Sequence, residues 1–475
     1  MKVKIVILVF FLFATQVAAA QIMFQRHYGG IADDFGSRVL QMEDGGYLVA
    51  SITESYGAGS GDIYLIRTNE LGDVQWTKTY GGVGDEQPYA MKKTNDGNII
   101  IAGRTSSYGT GSTDCYLLKI NQSGDTLWTK TYGGINEDGA YDVIQTTDDG
   151  YLLLGYSLTF TSVFSSVYAI KTNSLGDTMW TKTYEKKNSN GGTSAIQLVD
   201  GGYIFCGTTQ SSGAPTSDCY LIRTNPMGDT LWTKVYGGSS YDGVYQVSYA
   251  SNGIVMTGTT YSFGAGSYDI FLSKFDYDGN EIWYKTYGGT NSDYGGSFSS
   301  TIDNGFIITG YTESFGMGGK DVYLIKTDIN GDTLWTKTFG GSGDEWGGCV
   351  IQTLDNGFIV VGNTNSYGNA YDVYLVKTNS QGISGLERII NENIECKIFP
   401  NPSDGNLNIE FNNADNTNYN ITIYDISGKL TFERKSSSYE SIKQSLDLTG
   451  LRSGIYLLKL NFDNKCVTKK IIIQK

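Results

Sequence analysis

Apolar positions along this chain come in short blocks. Runs such as Phe358-Ile-Val-Val-Gly362 and Asp372-Val-Tyr374-Leu are hydrophobic at nearly every position and are bounded by turn signals such as Asp355-Asn-Gly357. No stretch carries the 3.6-residue period of an amphipathic helix, so the blocks predict short strands buried on both faces. Between them lie turns such as Asn173-Ser-Leu-Gly176-Asp177, whose Gly and Asn tolerate the positive φ of a tight hairpin.

The blocks repeat. Trp76, Trp128, Trp180, Trp232, Trp283 and Trp335 recur every 51 or 52 residues, and Phe24 stands one period earlier. Four residues after each comes an aromatic: Tyr28, Tyr80, Tyr132, Tyr184, Tyr236, Tyr287 and Phe339. In step with these runs Asp-x-aromatic-Leu, as in Asp62-Ile-Tyr64-Leu and Asp321-Val-Tyr323-Leu, with Ser166-Val-Tyr168-Ala as its degenerate copy. Each period therefore holds four strands: A (variable), B and C (apolar) and D (the Trp strand). Seven such copies predict an all-β fold, a seven-bladed β-propeller of about 52-residue repeats. The Trp and Tyr of the repeat are expected to be blade-packing aromatics, contributing about 1.5–3 kcal/mol each by burial.

Copy seven supplies strands A to C up to Thr378 and then reads Ser380-Gln-Gly-Ile-Ser-Gly where its Trp strand should stand. The unpaired strand at residues 22–28 is the expected substitute, closing the last blade and removing the exposed edges of an open array. The Asn-x-x-Gly-Asp-x-x-Trp turn resembles the quinoprotein-type propeller repeat and, more loosely, the Asp-box of sialidases. Neither resemblance implies chemistry here, because the box spacing differs and no arginine cluster suited to a carboxylated sugar is present.

Composition narrows the class. Gly at 62 and Pro at only 5 suit many turns, 35 Tyr suit pleated surfaces, and 40% hydrophobic residues suffice for a core. A formal charge of -14 disfavours nucleic acid and anionic lipid as partners. Lys2 and Lys4, the apolar run Ile5 to Ala14, and Ala18-Ala19-Ala20 have the layout of a cleaved secretory signal over residues 1–20. The mature chain is expected to start at Gln21 and to have no transmembrane segment. Six cysteines lack CxxC spacing, which argues against a zinc or redox motif and leaves Cys206–Cys219 and Cys396–Cys466 as candidate pairs.

From Cys396 the repeat disappears. The chain now reads Lys397-Ile-Phe-Pro400-Asn401-Pro402, then Ile-Ser-Gly428-Lys429, then Gly454-Ile-Tyr456, and ends on a strand with Lys469 and Lys470. Together these are similar to the type A C-terminal sorting domain of type IX secretion. The resemblance implies an immunoglobulin-like β-sandwich over residues 396–475 that engages the secretion machinery and is commonly removed. It also implies a secreted or outer-surface-attached protein of a Gram-negative bacterium. The expected organisation is leader 1–20, propeller 21–380, linker 381–395 and sorting domain 396–475.

Strands B and D run the same way, so the loops after them share one face. The D-to-A loops place Asp34 and Phe35, Glu86, Asp138, Asp242, Asp293 and Tyr294, and Glu345 and Trp346 on that face. The B-to-C loops add Tyr56, Tyr108, Phe263, Phe315 and Tyr367. Carboxylates beside aromatics suit sugar rings and equally suit calcium. These nine D-to-A residues are the candidate ligand-binding set, and Trp346 stands out as the tryptophan outside the repeated position. No metal site and no catalytic residue is assigned. His27 is the sole histidine, which excludes a Ser-His-Asp triad or a multi-histidine metal centre. Asp276-Tyr-Asp278-Gly-Asn280 lacks the distal Glu of a calcium loop and reads as a hairpin turn. The expected function is a non-catalytic binding or adhesion propeller with a glycan or protein ligand. The alternatives are a carbohydrate-active hydrolase or lyase using carboxylates or Tyr, and a structural spacer.

Overall fold

The computed structural model describes residues 22–162, 164–186, 188–210, 216–368, 370–384, 396–411, 419–425, 429–436, 442–462 and 466–475. The expected leader, the mature start at Gln21, most of the linker and Gly428 lie outside the described residues. The chain divides into two compact units, Met1–Gly385 and Leu386–Lys475.

In the first unit seven four-stranded antiparallel sheets follow one another. Their A strands are Asp34–Gln41, Glu86–Lys93, Asp138–Gln145, Asn190–Gln197, Asp242–Ala250, Asp293–Ser300 and Glu345–Gln352. Each A strand contacts the next, and Glu345–Gln352 contacts Asp34–Gln41, so the sheets form a closed ring with the A strands innermost. This is a β-propeller. B and C strands such as Tyr47–Thr53 and Asp62–Thr68 are buried almost throughout because each is covered by a blade on both faces. D strands such as Thr126–Tyr132 are exposed at most positions, as an outer edge must be.

The ring closes as the sequence implies. Phe24–Tyr28 pairs antiparallel with Asp372–Thr378, in register from Phe24↔Lys377 to Tyr28↔Val373. It thereby becomes the D strand of blade 7. Phe24 is buried in the junction between blades 7 and 1 with Tyr47, Val49 and Val361.

The repeated Trp-x-Lys-x-Tyr turns out to be a clamp on the next blade. In blade 2 the Tyr132 hydroxyl donates to the carbonyl of Gly176, in the C–D turn of blade 3, at 2.6 Å. Lys130 pairs with Asp177 of that turn at 2.9 Å. A Cβ on Gly176 would lie 3.1 Å from the Trp128 ring, so only glycine lets the ring close over the turn. The turn is itself fixed by Asn173, whose Oδ1 accepts from the Leu175 and Asp177 amides at 2.9 Å. The tryptophans are thus half-buried lids on turn glycines rather than fully buried wedges.

A second repeated pair secures the opposite end. The C-strand Lys171, 4% exposed, reaches Asp148 of the A–B turn at 2.8 Å and the Thr172 carbonyl at 2.8 Å. Arg67, Lys119, Lys326 and Lys377 make the same contact in their own blades. Cys115, Cys206, Cys219, Cys349 and Cys396 are free buried thiols, so the two candidate disulfides are not formed.

The second unit has a three-stranded sheet (Cys396–Phe399, Asn406–Phe411, Ile442–Asp447) and a four-stranded one (Leu430–Ser436, Tyr419–Asp425, Gly454–Phe462, Cys466–Ile473). Leu407, Ile409 and Leu446 from the first share one buried cluster with Ile421, Ile423, Leu458 and Ile471 from the second, which makes this a sandwich. No helix among the described residues is long and apolar enough to cross a membrane.

Candidate functional site

The six expected carboxylates open the A strands, but not as solvated loop acids. Asp34, Glu86, Asp138, Asp242, Asp293 and Glu345 are each 2% exposed or less. Each accepts from the amide of a glycine four residues before it, as Asp138 does from Gly134 at 2.8 Å and Glu345 from Gly341 at 2.8 Å. Each also takes, or sits beside, a hydroxyl from the end of strand B: Ser55 to Asp34 at 2.8 Å, Thr105 to Glu86 at 2.5 Å, Ser314 to Asp293 at 2.7 Å. They tie the D-to-A loop to the B–C turn. A sugar ring or protein surface in solvent would not lie against them, since they stand beneath the loops and not on the open face the sequence suggests. The sequence reveals residue type and strand position, while the depth of the strand start beneath its loop comes only from packing.

The aromatic members of the set stand differently. Phe35, Tyr294 and Trp346 each follow a buried acid and are half-buried. Phe35 of blade 1 stacks on Trp346 of blade 7 at 6.4 Å between ring centroids, and Tyr371 lies 5.0 Å from Trp346 and 5.6 Å from Phe35. Tyr294 of blade 6 stacks on Tyr311 at 5.6 Å and on Tyr245 of blade 5 at 5.7 Å, with Tyr268 at 5.8 Å. A third cluster was not foreseen: Tyr89 of blade 2 lies 4.8 Å from Tyr141 of blade 3, Tyr141 lies 5.5 Å from Tyr156, and Arg104 covers Tyr89 at 6.0 Å.

Their local origin is a bulge. In every blade the A–B register slips at the fourth residue of strand A, between Pro88 and Ala90 and between Ala140 and Asp142, for example. A bulge leaves its extra residue unpaired and re-aims it. The seven residues so placed on the innermost strands are Ser37, Tyr89, Tyr141, Thr193, Tyr245, Gly296 and Gly348. Three are tyrosines and the others small, so the inner wall is not repeat-symmetric. The available signal was the variability of strand A itself.

Burial pushes the Tyr89 and Tyr311 hydroxyls up to about 12, and raises those of Tyr141 and Tyr371 as well. At neutral pH these are neutral hydrogen-bonding phenols and no phenolate nucleophile. The B–C loop aromatics are exposed yet fastened: the Tyr56 hydroxyl donates to the Gly29 carbonyl at 2.9 Å and Tyr108 to Gly81 at 2.8 Å. Among the described residues no group of three or more His, Cys, Asp or Glu could hold a metal.

In the second unit Asn401 pairs with the last strand through both side-chain atoms, donating to the Lys470 carbonyl at 2.9 Å and accepting from the Ile472 amide at 2.8 Å. Pro400 and Pro402 flank it and are exposed, as are Lys469 and Lys470. Gly454 opens the neighbouring strand, in which the Tyr456 hydroxyl donates to Arg452 at 2.9 Å. The Lys429 amide donates to Asp425 at 3.0 Å in the hairpin. The Pro-Asn-Pro opening is thus joined to the basic final strand. Residues 397–474 match the family described as "Secretion system C-terminal sorting domain". This tail is a type IX secretion sorting domain. The sorting domain marks the protein for export, to be secreted or attached at the outer surface.

The propeller has more distant likenesses. The chain is 21% identical over 330 residues to the regulatory protein FlaEY of Caulobacter vibrioides, covering 64% of this chain and 32% of that protein. It thus spans about a third of the length of the curated relative it matches. It is similar to the β-propeller domain of the Trilobed protease from Pyrococcus furiosus, with 10% identity, TM-score 0.41, and coverage of 77% of this chain and 99% of that one. The acylaminoacyl peptidase of Pyrococcus horikoshii is similar at 13% identity and TM-score 0.40, covering 80% and 57% respectively.

Proposed function

We propose that this protein is an exported, non-catalytic binding propeller that recognises a glycan, or a protein presenting similar surface chemistry, through the aromatic clusters on its innermost strands. Residues 1–20 serve as the leader into the periplasm, and the sorting domain directs passage through the outer membrane. The observation that supports binding over a spacer role is the asymmetry of the clusters. The blade-building pattern recurs from copy to copy, whereas Phe35, Tyr294 and Trp346 stand at the second residue of strand A, which the other blades fill with Gly or Gln, and Tyr89, Tyr141 and Tyr245 stand at the bulge, which the others fill with Ser, Thr or Gly. Half-buried rings held by their neighbours offer rigid platforms with polar edges, which suits the alternation of apolar and hydroxyl faces on a sugar. Against a hydrolase stands the burial of the regular carboxylates, which leaves them unable to reach a polymer.

The test is retention of the purified chain on a panel of soluble polysaccharides, with new chain ends counted in the same tubes. Retention without new ends is expected. New chain ends from any retained polymer would replace this reading with the hydrolase or lyase alternative.

A further inference from the structure

Six of the seven blade junctions bring together two carboxylates that the sequence places more than twenty residues apart. One opens strand C of a blade and the other opens strand A of the next. Asp114 and Asp138 form such a pair around Gly133, where an added Cβ would overlap Asp114 Oδ1 and lie 2.8 Å from Asp138 Oδ2. Asp218 and Asp242 do so around Gly237, and Asp269 and Asp293 around Gly288, with the A-strand oxygen 2.9 and 2.7 Å from the Cβ position. Asp62 with Glu86, Asp321 with Glu345, and Asp372 with Asp34 repeat the arrangement around Gly81, Gly340 and Gly29. All twelve carboxylates belong to residues at most 8% exposed.

Two like charges in such surroundings repel, and burial without compensation costs several kcal/mol per ion. At the closing junction His27 supplies a hydrogen-bonding partner, with Nδ1 3.2 Å from Asp372 Oδ2. At the other five no Lys, Arg or His pairs with either carboxylate among the described residues. Asp114 Oδ1 and Asp218 Oδ1, which face the partner carboxylate, are buried with no hydrogen-bond donor, and so is Asp138 Oδ1. Burial first, and then the neighbouring carboxylate, lift Asp321 to about 6 and raise Asp218.

The junction between blades 3 and 4 serves as an internal control. There Ser166 and Asn190 replace both acids, and Glu185 replaces the wedge glycine. Glu185 accepts from Ser162 and Ser166 at 3.0 Å each, and the Asn190 amide donates to the Ser165 carbonyl at 3.1 Å and the Lys186 carbonyl at 3.0 Å. One carboxylate and one amide therefore satisfy the turns. The second charge at the other junctions is not needed to build them.

We propose that the five carboxylate-pair junctions without His27 are binding sites for a hard divalent cation, with Ca²⁺ the best-fitting class, which bridges adjacent blades. Carboxylates from two blades are the hard oxygen donors such an ion prefers, with carbonyls, hydroxyls and water completing its shell. The ion offsets the repulsion and adds an inter-blade tie, so the ring becomes more stable when it is bound.

Equilibrium dialysis of the full chain against Ca²⁺ at about neutral pH, paired with melting curves in Ca²⁺ and in chelator, tests this. Up to five bound ions per chain and a higher melting temperature in Ca²⁺ are expected. Asp138→Asn, which copies the residue already present at Asn190, should lose one ion and remain folded; Asp242→Asn gives a second, independent subtraction. Less than one bound ion in the native chain overturns the proposal, as does Ca²⁺ uptake unchanged in both variants. A melting temperature indifferent to Ca²⁺ but rising on acidification would also overturn it, and would assign a shared proton to the pairs.

Discussion

Gly97 and Gly124 both hold left-handed backbone, at φ +78° and +80°, yet their surroundings differ. A Cβ on Gly97 would meet only Gln122 Nε2 at 3.7 Å, whereas one on Gly124 would press the Trp76 ring at 2.8 Å. Gly97→Ala should therefore cost only the conformational strain of about 1 kcal/mol, and Gly124→Ala about 2–3 kcal/mol, measured by chemical denaturation. The Asp148–Lys171 pair gives a pH test. Burial acts to raise the Asp148 carboxyl, but hydrogen bonds from Lys171, Thr146 and Gly150 outweigh it and hold it below its usual value. A depressed folded-state value means that the stabilisation is present above about pH 4 and is lost as pH falls through the folded value. Asp148→Asn should cost about 1 kcal/mol at neutral pH, a modest figure because the carboxylate is half exposed, and progressively less below about pH 4 in denaturation series. At this scale the chain was legible where a residue repeats with its partner, as with Asn173 and Asp177. It was not legible where burial decides. Asp138 and its counterparts look like loop acids in sequence because nothing local records that the loop folds over them.

Strands were the most legible level, since turn signals and doubly apolar runs bound each B and C strand on both sides. What the pattern could not show is the slip in every A–B pair. A bulge moves one residue out of the two-residue alternation, so Tyr89, Tyr141 and Tyr245 fall outside any face assigned by counting. The closing strand is the element on which the ring depends. Phe24–Tyr28 brings a five-residue ladder, a buried Phe24, and the Tyr28 hydroxyl that donates to the Gly72 carbonyl at 2.6 Å. Removal of residues 21–30 leaves Asp372–Thr378 as a free edge and uncovers the junction of blades 7 and 1. The melting temperature should drop by about 10 °C or more. An unchanged melt would show that the ring does not need this strand.

For the whole molecule, seven copies of one unit act as their own comparison set. Positions that recur from blade to blade, the Trp-Lys-Tyr clamp with its Phe24, Arg26 and Phe339 variants and the C-strand Lys or Arg that pairs with a turn Asp in six blades, hold blades together and explain the fold without reference to any ligand. Positions that break the repeat at equivalent depth are where selection for something other than the fold can act, and they gather on the innermost strands of blades 7 and 1, 2 and 3, and 5 and 6. The candidate set named from sequence held three of these residues, Phe35, Tyr294 and Trp346, because they adjoin a repeated acid. Arg104 comes from strand B beside Tyr89, and Tyr371 and Tyr268 come from the B–C loops of blades 7 and 5, so they meet these residues only when the chain folds. The sorting tail was legible because its signatures are linear. The central claim is that non-repeated aromatics, and not the repeated ones, bind the ligand. It is tested most directly by comparing the affinities of the native chain, Trp346→Ala and Tyr56→Ala for whichever polysaccharide the panel retains. Binding weakened about tenfold by Trp346→Ala and unaltered by Tyr56→Ala is the predicted result. Equal affinities for all three proteins, or no polymer retained by the native chain, would contradict the account.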